Sequence, residues 1–192
     1  MQRLLLSFPL AALAATPALA HIGVGHTHSF ASGFGHPLGG LDHILAMVTV
    51  GLWGVLAGGR AVWAWPAAFV GAMIAGFVAA SAGLALPFVE PAILASSIVL
   101  GLLVMLAIRA PVGAGALIVG AFALFHGHAH GTEAEGASLV PYAAGFALAT
   151  ALLHLGGIGL GLSADGRFGR LALRGAGGAA YIGGVALAAG LL

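Results

Sequence analysis

Two runs of the chain concentrate the side chains able to do chemistry. The first is His36-Pro37-Leu38-Gly39-Gly40-Leu41-Asp42-His43 and the second Phe125-His126-Gly127-His128-Ala129-His130-Gly131-Thr132-Glu133. Imidazole and carboxylate without thiolate suit nickel, copper(II), zinc, cobalt or iron, and intrinsic affinity alone does not choose among these ions. With no cysteine in the chain, thiolate sites and disulfides are both excluded. If the second run is helical, His126, His130 and Glu133 recur at i, i+4 and i+7 on one face, where they can converge on one ion, and His128 points the other way. Gly127 and Gly131 leave open a short chelating loop instead, and a solvated histidine-rich loop is the bland alternative, chiefly for His128 and Glu135.

In the first run Pro37 suits the first turn of a helix. His36 then lies at the mouth of a span, with Asp42 and His43 one to two turns down it. At about 100° per residue His36, His43 and Met47 share a face, while Asp42 sits well round the helix. Asp42 is therefore expected either to ligate from a neighbouring groove or to orient an imidazole as its acceptor. The competing reading is a structural Asp–His pair that ties two helices together. Met47 offers a softer ligand or simple packing.

Two further groups remain. His154 stands alone in Ala149-Thr150-Ala151-Leu152-Leu153-His154-Leu155, either a helix-to-helix hydrogen bond or a stop on an ion's path. His21, His26 and His28 precede the first run. Were the chain cut before His21, that residue would offer an imidazole and a free α-amine as a chelating pair.

The elements that carry these residues follow from composition. Charged residues are 6% of the chain and hydrophobic ones 61%, against about a quarter charged in ordinary soluble domains. No water-facing surface can be assembled from that, so the bilayer is the solvent. Nine histidines are the anomaly, because polar side chains inside a membrane are costly and mark function by default. Lysine is absent and the six arginines stand singly, which leaves no basic patch for nucleic acid.

Residues 1–20 read as a signal peptide: Arg3, the apolar Leu4–Leu13 stretch, and Ala18-Leu19-Ala20 as a small-x-small cleavage site. The alternative is an uncleaved anchor, although the apolar run falls short of the roughly 20 residues a span needs. Residues 21–192 then form one all-α, polytopic membrane bundle. Its six transmembrane helices are expected at about 38–59, 62–84, 91–108, 112–126, 140–162 and 174–192. The fourth is short and is expected to continue into the histidine run, or to be tilted or incomplete.

With the mature N-terminus outside a bacterial cytoplasmic membrane, alternation puts Arg60, Arg109, Arg167, Arg170 and Arg174 in cytoplasmic loops, as the positive-inside rule requires. Glu90, Glu133 and Glu135 fall on the opposite side, and Asp165 is the sole acid on the arginine side. Among the 33 glycines, pairs such as Gly54/Gly58 and Gly157/Gly161 permit close helix approach in lipid. Those beside the histidines, at Gly39-Gly40, Gly127, Gly131 and Gly156-Gly157, are candidate helix breaks. No nucleotide-binding loop or soluble domain is evident.

Together, His36-Pro-x-x-Gly-x-Asp42-His43 and Phe125-His126-Gly-x-Ala-His130-Gly-x-Glu133 resemble the motifs of the HupE/UreJ family of nickel and cobalt permeases. The resemblance covers essentially the whole mature chain. It implies a permease without its own ATPase that imports nickel, with cobalt second, to supply hydrogenase or urease through cytoplasmic metallochaperones. The metal is cargo, and no cofactor is implied. The implied metal residues are His36, Asp42, His43, His126, His130 and Glu133, to which the residues themselves add His21 and His154 as candidates. His128 occupies a variable position. Rivals from other classes are an intramembrane zinc-dependent hydrolase using the same ligands, a metal sensor, and a proton channel built on the histidines. Oligomeric state, homo-oligomer included, is open.

Overall fold

The computed structural model describes residues 30–134 and 138–192. Among them there are seven helices and no strand: α1 Phe30–Gly39, α2 Leu41–Ala57, α3 Ala61–Ser81, α4 Val89–Met105, α5 Val112–Glu133, α6 Leu139–Leu162 and α7 Gly166–Ala188. His21, His26, His28, Glu135 and the expected signal peptide lie outside the described residues.

Four helices, α3, α5, α6 and α7, are long and apolar enough to cross a membrane, and α1 with α2 forms a fifth candidate span bent by 85°. At 1.5 Å per residue the 21 residues of α3 reach about 31 Å, the thickness of a hydrocarbon core of about 30 Å. The apolar α4, at 17 residues, is shorter than that.

Two boundaries differ from expectation, the first and the last, while the fourth stretch takes one of its expected forms. The expected first span does not begin at residue 38. Pro37 is buried inside α1, and the chain breaks at Gly40, whose extended backbone (φ −102°, ψ 120°) starts α2 at Leu41. The fourth stretch continues through the histidine run to Glu133. The last helix begins at Gly166 rather than 174, so Arg167, Arg170 and Arg174 sit on α7 itself and not in a loop. They are exposed, while Leu173, Gly177, Ala180 and Gly184 are buried.

Short turns alternate the helix directions. Gly58 (φ 78°) and Gly59 (φ 56°) reverse the chain between α2 and α3, which makes Gly58 a turn residue and not a packing notch. The ends of α2, α4 and α6 and the starts of α3, α5 and α7 thus gather at one pole. Cross-links fix that pole: Trp53 Nε1 donates to the Ile108 carbonyl and Trp65 Nε1 to the Val112 carbonyl, each at 2.8 Å. The two buried indoles pack with ring centroids 4.2 Å apart. Arg174 Nε donates to the Met105 carbonyl at 2.8 Å. Arg60, Arg109, Arg167, Arg170 and Arg174 all belong to this pole; Glu90 and Glu133 belong to the other.

Helix α2 runs through the middle, packed against α3, α4, α6 and α7. Close approach is what glycine supplies to the bundle. A Cβ at Gly127 would collide with the Met73 carbonyl, and one at Gly157 with that of Val48, so α5 lies directly on α3 and α6 on α2. Of the expected glycine breaks, only Gly39-Gly40 interrupts a helix.

Candidate metal centre

At the pole away from the arginines, the break at Gly40 and the C-terminal turns of α5 face each other. The break removes His36 from the helix that carries His43. The shared face expected for His36, His43 and Met47 therefore does not exist, and Met47 is fully buried in the core. Instead His36 reaches the cluster from α1, while Asp42 and His43 occupy the first turn of α2.

Gly40 lets the Asp42 and His43 side chains lie close over the break. A Cβ would stand 2.7 Å from Asp42 Oδ1 and 3.0 Å from His43 Nδ1, because both side chains fold back over the break. Asp42 Oδ1 accepts from the His43 backbone N–H at 2.8 Å and lies 2.9 Å from His43 Nδ1. This carboxylate orients an imidazole, the second of the two roles expected for it. From α4, the Ser97 hydroxyl donates to the Asp42 backbone carbonyl at 3.0 Å.

Helix α5 supplies the other half. His126, His130 and Glu133 share one face, as their spacing requires. His128 points away and donates Nε2–H to the Leu84 carbonyl at 2.7 Å. Glu133 Oε2 lies 3.1 Å from His36 Nε2 and 3.8 Å from His130 Nδ1. One ligand atom from each of His36, His130 and Glu133 lies within 4.8 Å of the other two.

The ring spacings allow a geometric test. An imidazole nitrogen binds a transition ion at about 2.1 Å, which places the ring centre roughly 3.2 Å from the ion. Two such rings on one ion are then separated by about 4.5 Å at a right angle and about 5.2 Å at the tetrahedral angle. His36–His130 at 4.5 Å, His43–His130 at 5.0 Å and His43–His126 at 4.8 Å fit that window; His36–His43 at 6.1 Å does not. The four histidines form a series in which each neighbouring pair is spaced to share an ion.

Burial adds a second argument. His126 and His130 have no exposed surface. Both ring nitrogens of His130, Nδ1 of His126 and Nε2 of His43 are buried without a hydrogen-bond partner. Buried polar atoms are normally paired, and leaving one unpaired costs roughly 1–3 kcal/mol. Four such nitrogens beside an open carboxylate make a nitrogen–oxygen donor set whose chemistry suits a divalent transition cation.

His154 is not in this cluster. The Phe69 ring packs against both residues, 5.6 Å from His126 and 5.0 Å from His154. Both His154 nitrogens are buried and unpartnered, which removes the helix-to-helix hydrogen bond among the described residues. His21 lies outside the described residues. Sequence reasoning missed Ser96, Ser97, the closeness of the Asp42 and His43 side chains to Gly40, and the Phe146 ring packed 4.5 Å from His130. The adjacent serines inside the apolar run Ala95-Ser96-Ser97-Ile98 were the available signal for the first two.

The fold and this cluster describe a multi-helix membrane protein with a cluster of histidines and carboxylates at one pole, a donor set that could hold a metal ion. Two comparisons refine that class. The sequence profile described as HupE / UreJ protein matches residues 9–187. The chain is also 48% identical over 183 residues to Protein HupE of Rhizobium leguminosarum bv. viciae, covering 94% of this chain and 95% of that protein. The chain belongs to the HupE/UreJ family, which is associated with nickel and cobalt transport. No solved structure matches it significantly.

Proposed function

We propose that this protein is a permease of the bacterial cytoplasmic membrane that imports a divalent transition cation, nickel first and cobalt second. The observation that carries the reading is the His36–His130–Glu133 triplet, which opens at one pole and continues inward as the series His130, His43, His126. The arginines at the opposite pole supply the orientation, since positive loops stay cytoplasmic. The histidine pole is then the outer mouth. Helices α2 to α7 make six crossings, with α1 lying against α6 at the mouth.

In this reading residues 1–20 are removed as a signal peptide, and His21 gathers the partly hydrated cation with its imidazole and new α-amine. His36, His130 and Glu133 replace water ligands, and His43 and His126 take the ion deeper. His154, packed against Phe69, receives it next. Conduction requires sites strong enough to capture and weak enough to release. The graded series of two- and three-ligand positions meets that requirement better than a closed four-ligand cage, which would store the ion. The membrane potential favours inward movement by about 2.3 kcal/mol per charge per 100 mV, and cytoplasmic metallochaperones would trap the cargo.

The zinc hydrolase alternative needs a general acid or base beyond the ligands. Among the described residues of the site, Asp42 is engaged by His43 and Glu133 by His36, so neither is free for that work. Nickel uptake by cells at limiting nickel is expected to collapse in His43→Ala and in Glu133→Ala. Normal uptake at unchanged expression would remove the support for a permease.

A further inference from the structure

The Ser96 hydroxyl of α4 is fully buried and makes two contacts: Oγ lies 2.6 Å from the Ile93 carbonyl oxygen and 3.0 Å from His126 Nε2. A hydroxyl has one hydrogen and a carbonyl can only accept. The Ser96 hydrogen therefore goes to Ile93, and the Ser96 oxygen must accept from His126, which carries its proton on Nε2. In the neutral ring this leaves a lone pair on Nδ1, the atom that is buried without a partner. The same reasoning holds at His43. The Asp42 carboxylate accepts from Nδ1–H at 2.9 Å, so the lone pair sits on Nε2, again buried and unpartnered. The two rings are 4.8 Å apart, inside the window for sharing one ion. His126 stands four residues before His130 on α5, about 6 Å further into the bundle.

We propose that Ser96 is a positioning residue: it locks His126 in the Nε2–H tautomer, so that His126 Nδ1 and His43 Nε2 form a two-nitrogen station for a divalent transition cation one helical turn behind the His36–His130–Glu133 triplet. The inference rests on the permease reading and adds to it a residue outside both histidine motifs. Hydrogen-bond partners of metal-binding histidines fix ring orientation and tautomer, and their removal costs roughly 10–100-fold in metal affinity. Ser96 and Asp42 play that part from two different helices, α4 and α2, so the station depends on how those helices are packed together.

The test uses the full protein in detergent micelles with histidine labelled by ¹⁵N in the ring. The His126 signals are assigned by their loss in His126→Ala, and Co²⁺ serves as a spectroscopic probe of nitrogen ligation. Expected are an Nε2–H tautomer for His126 in the wild type, a mixture of tautomers in Ser96→Ala, and Co²⁺ binding weakened 10–100-fold in that variant. Ser96→Thr, which keeps the hydroxyl, is expected to retain the wild-type tautomer and to bind Co²⁺ more tightly than Ser96→Ala. An Nδ1–H tautomer in the wild type overturns the proposal. So does a Ser96→Ala protein whose tautomer is unchanged, whether or not its binding falls, since any loss would then be structural. If the wild type neither binds Co²⁺ nor moves Ni²⁺, the permease reading fails together with the station. If it does both and Ser96→Ala matches it, only the role of Ser96 fails.

Discussion

Glu133 Oε2 on the last turn of α5 lies 3.1 Å from His36 Nε2 on α1. The pair joins two elements that share few other contacts and closes the outer edge of the cluster over the buried His130. Both side chains are partly exposed, at 50% and 38%. As an isolated surface pair it would stabilise the fold by about 0–1 kcal/mol, so the proposed ligand role, and not stability, is what a substitution here tests.

Glu133→Gln keeps the shape of that residue and removes its charge. Metal affinity at the mouth is expected to fall at least tenfold, while thermal stability in detergent shifts by only a few degrees. Isothermal titration with Ni²⁺ beside a thermal-shift assay separates the two effects. An unchanged affinity would show that the carboxylate is not a ligand.

His154, buried, unpartnered and packed against Phe69, is expected to act in passage and not in capture. His154→Ala should lower Ni²⁺ flux several-fold with Ni²⁺ binding at the outer cluster within about twofold of wild type. Removing two unpaired buried nitrogens also relieves a desolvation cost, so the variant should be no less stable apart from the cavity left by the ring. A parallel loss of binding and flux would place His154 in the capture site instead.

His128, turned away from the ligand face by its spacing, is a clamp in structure, since its Nε2–H is given to the Leu84 carbonyl after α3. His128→Ala is expected to cost about 1 kcal/mol of stability and to leave Ni²⁺ affinity within about twofold. Chemical denaturation in mild detergent and metal titration measure these separately.

Gly127 lies between His126 and His128 with the Met73 carbonyl directly against it. Gly127→Ala forces α5 away from α3, and such overpacking costs typically 1–3 kcal/mol. The variant should show a lower thermal midpoint and reduced Ni²⁺ binding, because the displaced helix carries three of the cluster's residues. Wild-type values for both would mean that the helix contact has slack that the geometry does not suggest.

Much of this was legible in the sequence. Spacing placed His126, His130 and Glu133 on one face and turned His128 away, because α5 is a continuous helix and its register is local. The family followed from the same two motifs. What failed was extrapolation across Gly40: a 100° rule cannot pass a break, so His36 was assigned to the wrong helix and α1 was missed. Counting apolar runs also delayed the start of α7 to residue 174, because a helix can carry Arg167, Arg170 and Arg174 on an exposed face. For Ser96 the serine pair in an apolar run marks a residue of interest but not its partner. Its contact with His126 depends on the relative register of α4 and α5, which no local pattern encodes.

The central claim is that this pole passes a divalent transition cation into the bundle, and tracer ⁶³Ni²⁺ flux into proteoliposomes containing wild type or His130→Ala, with Co²⁺ as competitor, tests it most directly. Saturable uptake by the wild type, inhibited by Co²⁺ and reduced at least tenfold in a folded His130→Ala protein, is the predicted result. Uptake no greater than that of protein-free liposomes, or equal in the two proteins, would contradict it.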